Sequence, residues 1–254
     1  MKRLSILFLA WLLALTPSVA FFSVAAPASA YAAGAADFSR WAVLVVAGDN
    51  RAQSGNPSQV FDNARRELVK VFAGLGFAPR NMAQFAVSDD LAAQYAHIPA
   101  IANTLRDLTV RAPAGCLIYA TSHGVEEGIV MGEELWAPET FGAMVNRACG
   151  AKPTVVVMSA CYSGQFVPVL EGGNRVVITA SRADRASFGC GEANRYTFFD
   201  DCFLLALPRA GGFAQLGGLI QDCVAYREKD IGVDVPSEPQ VRVGKNVGAA
   251  FRWK

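Results

Sequence analysis

The chain has 254 residues, of which 52% are hydrophobic and 18% are charged, and its formal net charge is +1. This length predicts a single α/β domain once a leader is removed, and the apolar share is ample for its core. A balanced charge without a dense run of lysine and arginine argues against a nucleic-acid partner. The classes that remain are globular enzymes and protein-binding domains.

The first 30 residues predict a secretory signal peptide. Met1-Lys2-Arg3 is a basic start, residues 4–15 are apolar, and Ala28-Ser29-Ala30 is a small-residue cleavage site, with Ala20 and Ala33 as other candidate ends. Cleavage after the first 30 residues leaves 21 basic against 22 acidic residues, a formal charge of −1. An uncleaved anchor is the alternative, because the apolar span is long enough to cross a bilayer. We expect cleavage, and a mature protein that is periplasmic or secreted and has no membrane association.

Apolar strands alternate with amphipathic helices through a domain that we place at residues 37–254. Predicted strands occupy residues 41–48, 82–87, 116–123, 154–159, 175–181 and 240–244. Predicted helices occupy residues 58–75, 98–110, 138–149, 196–207 and 213–229, and a small hairpin occupies residues 128–136. This alternation indicates βαβ units, and therefore a mainly parallel sheet in a three-layer sandwich.

Two of the predicted strands are continuous apolar runs that lead to a reactive side chain. The run at residues 154–158 leads to Cys161, and the run at residues 116–120 leads to His123. Such runs are typical of parallel strands buried on both faces, and chemistry in open α/β sheets lies beyond their carboxyl ends. We therefore predict that Cys161 and His123 form a catalytic pair. The other histidine, His97, is interpreted as a solvated loop residue.

A serine nucleophile and a metal centre are weaker interpretations. Ser163 would need glycine two residues earlier, where this chain has Cys161, and no histidine follows residue 123. The cysteines are scattered without a CxxC pair, so neither a zinc site nor a redox motif is expected. We predict no metal and no cofactor.

The six cysteines of an exported chain predict disulfides. With Cys161 kept as a thiolate, at most two bridges can form. Cys116 starts a strand and Cys149 ends the helix before the next strand, so we expect these two to lie close together. The remaining cysteines compete for a second bridge that the sequence cannot assign; they are Cys190, Cys202 and Cys223.

Two short motifs resemble those of a known enzyme family. Tyr-Ala-Thr-Ser-His-Gly at residues 119–124 and Met-Ser-Ala-Cys-Tyr-Ser-Gly at residues 158–164 are similar to the legumain-type cysteine peptidases of clan CD. The resemblance covers residues 41–241 and suggests an exported, bacterial-type member. It implies a caspase-like three-layer α/β/α sandwich with a mostly parallel sheet of about six strands.

The resemblance also implies catalytic roles. Cys161 would attack the scissile carbonyl as a thiolate, and His123 would polarise the thiol or protonate the leaving amine. The backbone N–H groups of Gly124 and Cys161 would form the oxyanion hole. Asn56 falls at the position of an asparagine that orients the histidine in the family. A plain turn residue is an equal interpretation of Asn56.

Residues expected to bind substrate follow from the same comparison of positions. The family's first-pocket arginine is replaced by Ser58, and the acidic residue two places before the nucleophile is replaced by Ser159. A pocket aspartate corresponds to Asp200 or Asp201, and the segment that starts at Ser181 borders the predicted cleft. Loss of the arginine with an acid retained favours a polar or basic P1 residue.

The resulting hypothesis is a monomeric cysteine endopeptidase that cleaves peptide or protein substrates through a thioester on Cys161. A peptide transamidase or ligase that uses the same residues is one alternative. Ser122 replaces an aspartate that precedes the histidine in some relatives, so chemistry that depends on that aspartate is not expected. A non-catalytic binding protein of the caspase fold is the alternative from another class.

Overall fold

The structure is a computed structural model that describes residues 36–253, so the predicted signal peptide lies outside the described residues. The strands are β1 Trp41–Ala47, β2 Met82–Ala86, β3 Gln94–Tyr95, β4 Gly115–Thr121, β5 Gly124–Val125, β6 Gly128–Met131, β7 Glu134–Trp136, β8 Thr154–Ser159, β9 Arg175–Thr179 and β10 Gln240–Val243. The α-helices are α1 Val60–Gly74, α2 Ile98–Arg111, α3 Pro138–Cys149, α4 Val167–Leu170, α5 Phe198–Ala206 and α6 Phe213–Asp230.

The main sheet has seven strands in the order β10-β9-β8-β4-β1-β2-β3. All neighbouring strands are parallel except β10, which pairs antiparallel with β9. The predicted mostly parallel sheet is confirmed, with seven strands rather than about six. The added strand is β3, a two-residue segment too short to show a hydrophobic pattern in the sequence.

Helices cover both faces of the sheet. One apolar core lies between the sheet and helices α2, α3 and α4, and the other lies between the sheet and helices α1, α5 and α6. Every residue of β1, β4, β8 and β9 is buried, as expected for parallel strands covered on both sides. The predicted three-layer α/β/α sandwich is therefore confirmed.

Three local elements differ from the prediction, and one of them is the four-residue helix α4, which was not predicted. Helix α5 begins at Phe198 rather than at residue 196, because Thr197 caps it and accepts a hydrogen bond from the Asp200 amide at 3.0 Å. The predicted hairpin is larger, since β5, β6 and β7 form a separate antiparallel sheet of three strands. That small sheet starts directly after His123.

Two disulfides link sheet to helix and helix to helix. The expected pair Cys116–Cys149 is formed, and the second bridge is Cys202–Cys223. Cys161 and Cys190 are free thiols. Two disulfides fit an extracellular or periplasmic protein. Within residues 36–253, no helix has the length and apolarity needed to cross a membrane.

Candidate active site

The register of β4 and β8 brings His123 and Cys161 to one edge of the sheet. Thr121 is the partner of Ser159 in the parallel ladder, and each reactive residue comes two positions after a member of that pair. Parallel strands present their carboxyl ends at the same edge of the sheet, so both residues lie just beyond that edge. Both residues are half-buried.

The His123 ring is held by a backbone carbonyl and an aromatic ring. Its Nε2 lies 2.9 Å from the carbonyl oxygen of Arg51, and its centroid lies 5.0 Å from that of Phe61 in an edge-on contact. A carbonyl oxygen only accepts hydrogen bonds, so Nε2 carries a proton. In the neutral ring, Nδ1 is therefore the nitrogen without a proton.

The loop after β1 fixes the position of the Arg51 carbonyl. Asp49 Oδ1 accepts hydrogen bonds from the amides of Asn50 at 2.7 Å and Arg51 at 3.0 Å. The Ser58 amide donates to the Asn50 carbonyl at 2.8 Å, and the Ala52 amide donates to the Asn56 carbonyl at 2.8 Å. These contacts close the segment into a compact turn above helix α1.

The Cys161 sulfur contacts a residue that the sequence did not single out. The backbone amide of Ser187 donates to Sγ at 3.2 Å, and the Ser187 hydroxyl lies 3.6 Å away. The thiol proton can be donated to the Ser187 carbonyl at 3.5 Å. Backbone contacts leave no sequence motif, so no pattern around Ser187 could have identified this partner.

Gly124 lies against the backbone of Cys161. A Cβ atom at this position would be 2.1 Å from the Cys161 carbonyl oxygen, so only glycine fits. The Val130 amide donates to the His123 carbonyl, and Gly124 pairs with Ile129. Hydrogen-bonded and non-hydrogen-bonded pairs alternate in antiparallel sheets, so the Gly124 N–H points away from the partner strand.

The turn that follows Cys161 is braced from below. Tyr162 adopts the left-handed conformation with φ of 57°, which is uncommon for a residue other than glycine. The Ser163 amide donates to Ser181 Oγ at 3.1 Å, and the Ser181 amide donates to Ser163 Oγ at 3.2 Å. Ser181 is fully buried. The segment that starts at Ser181 was predicted to border the cleft, and in the structure Ser181 itself is buried and supports the turn after Cys161.

Asp200 and Ser159 also lie beneath the site. Asp200 is fully buried and accepts hydrogen bonds at 2.7 Å from the hydroxyls of Tyr119 and Thr121. Burial raises the pKa of the Asp200 carboxyl, and the hydroxyl donors oppose that effect. Ser159 is 2% exposed, with Oγ 3.4 Å from the Thr197 hydroxyl. Asp200 and Ser159, which were predicted to bind substrate, therefore link the ends of strands β4 and β8 to the start of helix α5. Both are buried, so neither side chain faces an open cleft.

The other predicted site residues have different partners. Asp201 forms an ion pair with Arg227 of helix α6. Asn56 is exposed, and its Nδ2 donates to Glu192 Oε1 at 2.9 Å. In the structure, the imidazole of His123 is therefore contacted by the Arg51 carbonyl and not by the Asn56 side chain.

Ser58 lines an open cavity of about 570 Å³ beside the loop after β1. Its other lining residues include Asp89, Glu192 and Asn194, and none of them is lysine or arginine. The two charged residues that line this cavity, Asp89 and Glu192, are both acidic. Within residues 36–253, no group of three or more histidine, cysteine, aspartate or glutamate residues could hold a metal ion.

Two comparisons found proteins that the chain is similar to. A model of the Peptidase C13 family matches residues 100–209, which contain both His123 and Cys161. The structure is similar to that of caspase-1 from Spodoptera frugiperda, with a TM-score of 0.61 and 13% identity over 83% of this chain and 89% of that chain. No curated protein sequence matches the chain.

These findings define the class of protein at a coarse level. The structural likeness at this identity shows the caspase-like α/β fold. The family match, which spans less than half of the chain, supports a function of the cysteine-peptidase type.

Proposed function

We propose that the chain is an exported cysteine endopeptidase of the C13 family that hydrolyses peptide bonds with Cys161 and His123. The observation that carries the proposal is the shared edge of β4 and β8, where a thiol and an imidazole follow paired strand positions. The family match over both residues supports it independently.

The proposed reaction begins with attack of the Cys161 thiolate on the scissile carbonyl carbon. The backbone N–H groups of Gly124 and Cys161 bind the oxyanion of the tetrahedral intermediate. The protonated His123 donates its Nδ1 proton to the leaving amine, while Nε2 keeps its proton and continues to donate it in the hydrogen bond to the Arg51 carbonyl. The C–N bond breaks and leaves a thioester on Sγ, and water then hydrolyses the thioester to release the acid and the thiol.

We propose that the cavity beside Ser58 receives the P1 side chain. It contains Asp89 and Glu192 and no cationic lining residue. A polar or basic P1 side chain is therefore the expected preference. An acidic P1 residue would meet like charge there.

A peptide probe with an electrophilic warhead tests the proposal. We expect rapid labelling of Cys161, loss of labelling in Cys161→Ala, and loss of peptide cleavage in both Cys161→Ala and His123→Ala. Cys190→Ser is the matched control, because Cys190 is the other free thiol. A Cys161→Ala protein that cleaves as fast as the parent would overturn the proposal and leave the non-catalytic interpretation.

Two further measurements define the reaction and the location. An added amine nucleophile captures the thioester in competition with water, so the ratio of ligated to hydrolysed product separates a ligase from a peptidase. Export is proposed from the composition of residues 1–30 and from the two disulfides. N-terminal sequencing of the exported protein is expected to show cleavage after Ala30.

A further inference from the structure

The loop at residues 185–195 contacts the Cys161 sulfur through the backbone of Ser187. The hydrogen bonds that this backbone can make depend on whether the sulfur is a thiol or a thiolate. A thiolate can only accept hydrogen bonds, so a donor favours the charged form. The Ser187 amide is such a donor, at 3.2 Å from Sγ. The Ser187 carbonyl, at 3.5 Å, can accept only from the neutral thiol. Because charge-assisted hydrogen bonds are the stronger ones, the amide contact favours the thiolate.

The backbone around Ser187 is held on both sides. The Tyr162 amide donates to the Arg185 carbonyl at 2.7 Å, and the Phe198 amide donates to the Phe188 carbonyl at 3.0 Å. Gly189 has φ of 94°, and a Cβ atom there would lie 2.6 Å from the Phe198 nitrogen. The amide of Ser187 is therefore fixed before a substrate arrives.

Glu192 ties the same loop to the segment that holds the histidine. Its carboxylate accepts hydrogen bonds from the Ser54 hydroxyl and from Asn56 Nδ2. These hydrogen bonds lower the pKa of Glu192 to about 2, so the carboxylate is ionised at neutral pH. Ser54 and Asn56 belong to the turn whose Arg51 carbonyl binds His123. The Glu192 carboxylate thus connects the loop that contacts the Cys161 sulfur with the turn that contacts the His123 imidazole.

We propose that the Ser187 backbone N–H is a catalytic group that stabilises the Cys161 thiolate, and that Glu192 is a positioning residue that holds the 185–195 loop in place. The inference rests on the proposed function, because it assigns the nucleophile to Cys161. When the thiol ionises, its proton leaves for the imidazole or for water, and the negative charge on Sγ faces the Ser187 N–H.

The test measures the thiol itself and needs no peptide substrate. In a Cys190→Ser background, the rate of alkylation by iodoacetamide is followed as a function of pH. Glu192→Ala is expected to slow alkylation of Cys161 about fivefold near pH 6 and to move the midpoint of the profile to higher pH, since weakening a hydrogen bond to a charged group has effects of this order. Glu133→Ala, at an exposed glutamate in the turn between β6 and β7, is the matched control and should leave the profile unchanged.

Two substitutions at Ser187 separate the amide from the side chain. Ser187→Ala keeps the N–H and should react within about twofold of the parent, whereas Ser187→Pro removes the N–H and should react about tenfold more slowly. Glu192→Gln can still accept one hydrogen bond and should lie between the parent and Glu192→Ala. Melting temperatures identify any variant that has lost its fold. If a Ser187 variant does not fold, the Glu192 variants still test the proposal, because Glu192 is exposed and its substitution is not expected to unfold the protein.

The outcomes distinguish this inference from the proposed function. If Cys161 of the Cys190→Ser protein reacts no faster than an ordinary thiol, the proposed nucleophile is wrong. If Cys161 reacts fast and remains as fast or faster in a folded Glu192→Ala protein, only the role of the loop is overturned. A faster reaction in that variant would mean that the loop shields the sulfur.

Discussion

The carbonyl oxygen of Arg51 lies 2.9 Å from Nε2 of His123, a contact between residues 72 positions apart in the chain. A backbone acceptor survives any side-chain substitution at its own position. The orientation of the imidazole therefore depends on the conformation of the loop after β1, and less on the identity of one side chain in that loop.

The variant Asn56→Ala distinguishes two roles for Asn56. The resemblance implies that it orients His123, whereas in the structure it donates a hydrogen bond to Glu192. We expect kcat/KM for a fluorogenic peptide to fall about two- to fivefold, because the substitution removes only one of the hydrogen bonds to Glu192. His123→Ala removes the general acid and should cost about 10²- to 10⁴-fold. An Asn56→Ala protein as inactive as His123→Ala would show that the asparagine orients the histidine during the reaction.

Gly124→Ala should disable the site while the protein remains folded. The added Cβ would meet the Cys161 carbonyl oxygen at 2.1 Å, so the backbone that carries the proposed oxyanion hole must shift. We expect kcat to fall about 100-fold or more, the order seen when one oxyanion donor is lost. The control is Gly218→Ala in helix α6, where no heavy atom lies within 4 Å of the added Cβ. That change should leave activity intact and stabilise the helix by about 0.5–1 kcal/mol.

Ser58→Arg should change the P1 preference. Ser58 lines the cavity that contains Asp89 and Glu192, at the position where the family that the chain resembles has an arginine. The added guanidinium would offset one of the two negative charges of Asp89 and Glu192, so cleavage after lysine or arginine should fall and cleavage after asparagine or aspartate should rise. A library of peptides that vary at P1 measures both changes. An unchanged preference would mean that this cavity does not receive the P1 side chain.

Asp200→Asn should have an effect on stability that depends on pH. Burial raises the pKa of Asp200 above its usual 3.8, so the folded protein binds this proton more tightly than the unfolded chain. The stability that this acid contributes is present below its unfolded pKa and is lost as pH rises through the folded pKa. Relative to wild type, Asp200→Asn should therefore be most destabilised near pH 4 and least near pH 8.

Chemical unfolding at several pH values measures this difference. The neighbouring phenol of Tyr119 stays protonated in this range, because burial and then the Asp200 charge raise its pKa well above normal. Asp222→Asn, at an exposed carboxylate of helix α6, controls for the change in net charge. A difference between wild type and Asp200→Asn that grows with pH would contradict the prediction.

Removal of the Cys116–Cys149 bridge should destabilise the protein strongly. The bridge closes a loop with a sequence separation of 33, and the chain-entropy model assigns about 3.7 kcal/mol to a loop of this size. The double variant Cys116→Ala with Cys149→Ala should lose about this much unfolding free energy in denaturant titrations. Cys190→Ser breaks no bridge and should retain the wild-type unfolding free energy.

The fold and the placement of Cys161 and His123 at one edge of the sheet could be predicted from the sequence because their signals are local. Continuous apolar runs marked the buried parallel strands, and residues after two such runs marked the carboxyl edge. The Cys116–Cys149 pair was also predictable, since it depends only on where one strand starts and one helix ends. The second bridge was not, because Cys190, Cys202 and Cys223 were equally compatible with the predicted elements.

The sequence by itself determined the order of the longer strands and helices and the candidate reactive pair, Cys161 and His123. Only the tertiary structure decided what holds each of them, the Ser187 amide for the sulfur and the Arg51 carbonyl for the imidazole. Nearly every residue carries a backbone donor and an acceptor, so such contacts have no signature in the choice of side chains. Burial of Asp200 likewise arises from strands and a helix that are distant in sequence, and no local pattern distinguishes a supporting carboxylate from one that faces a substrate.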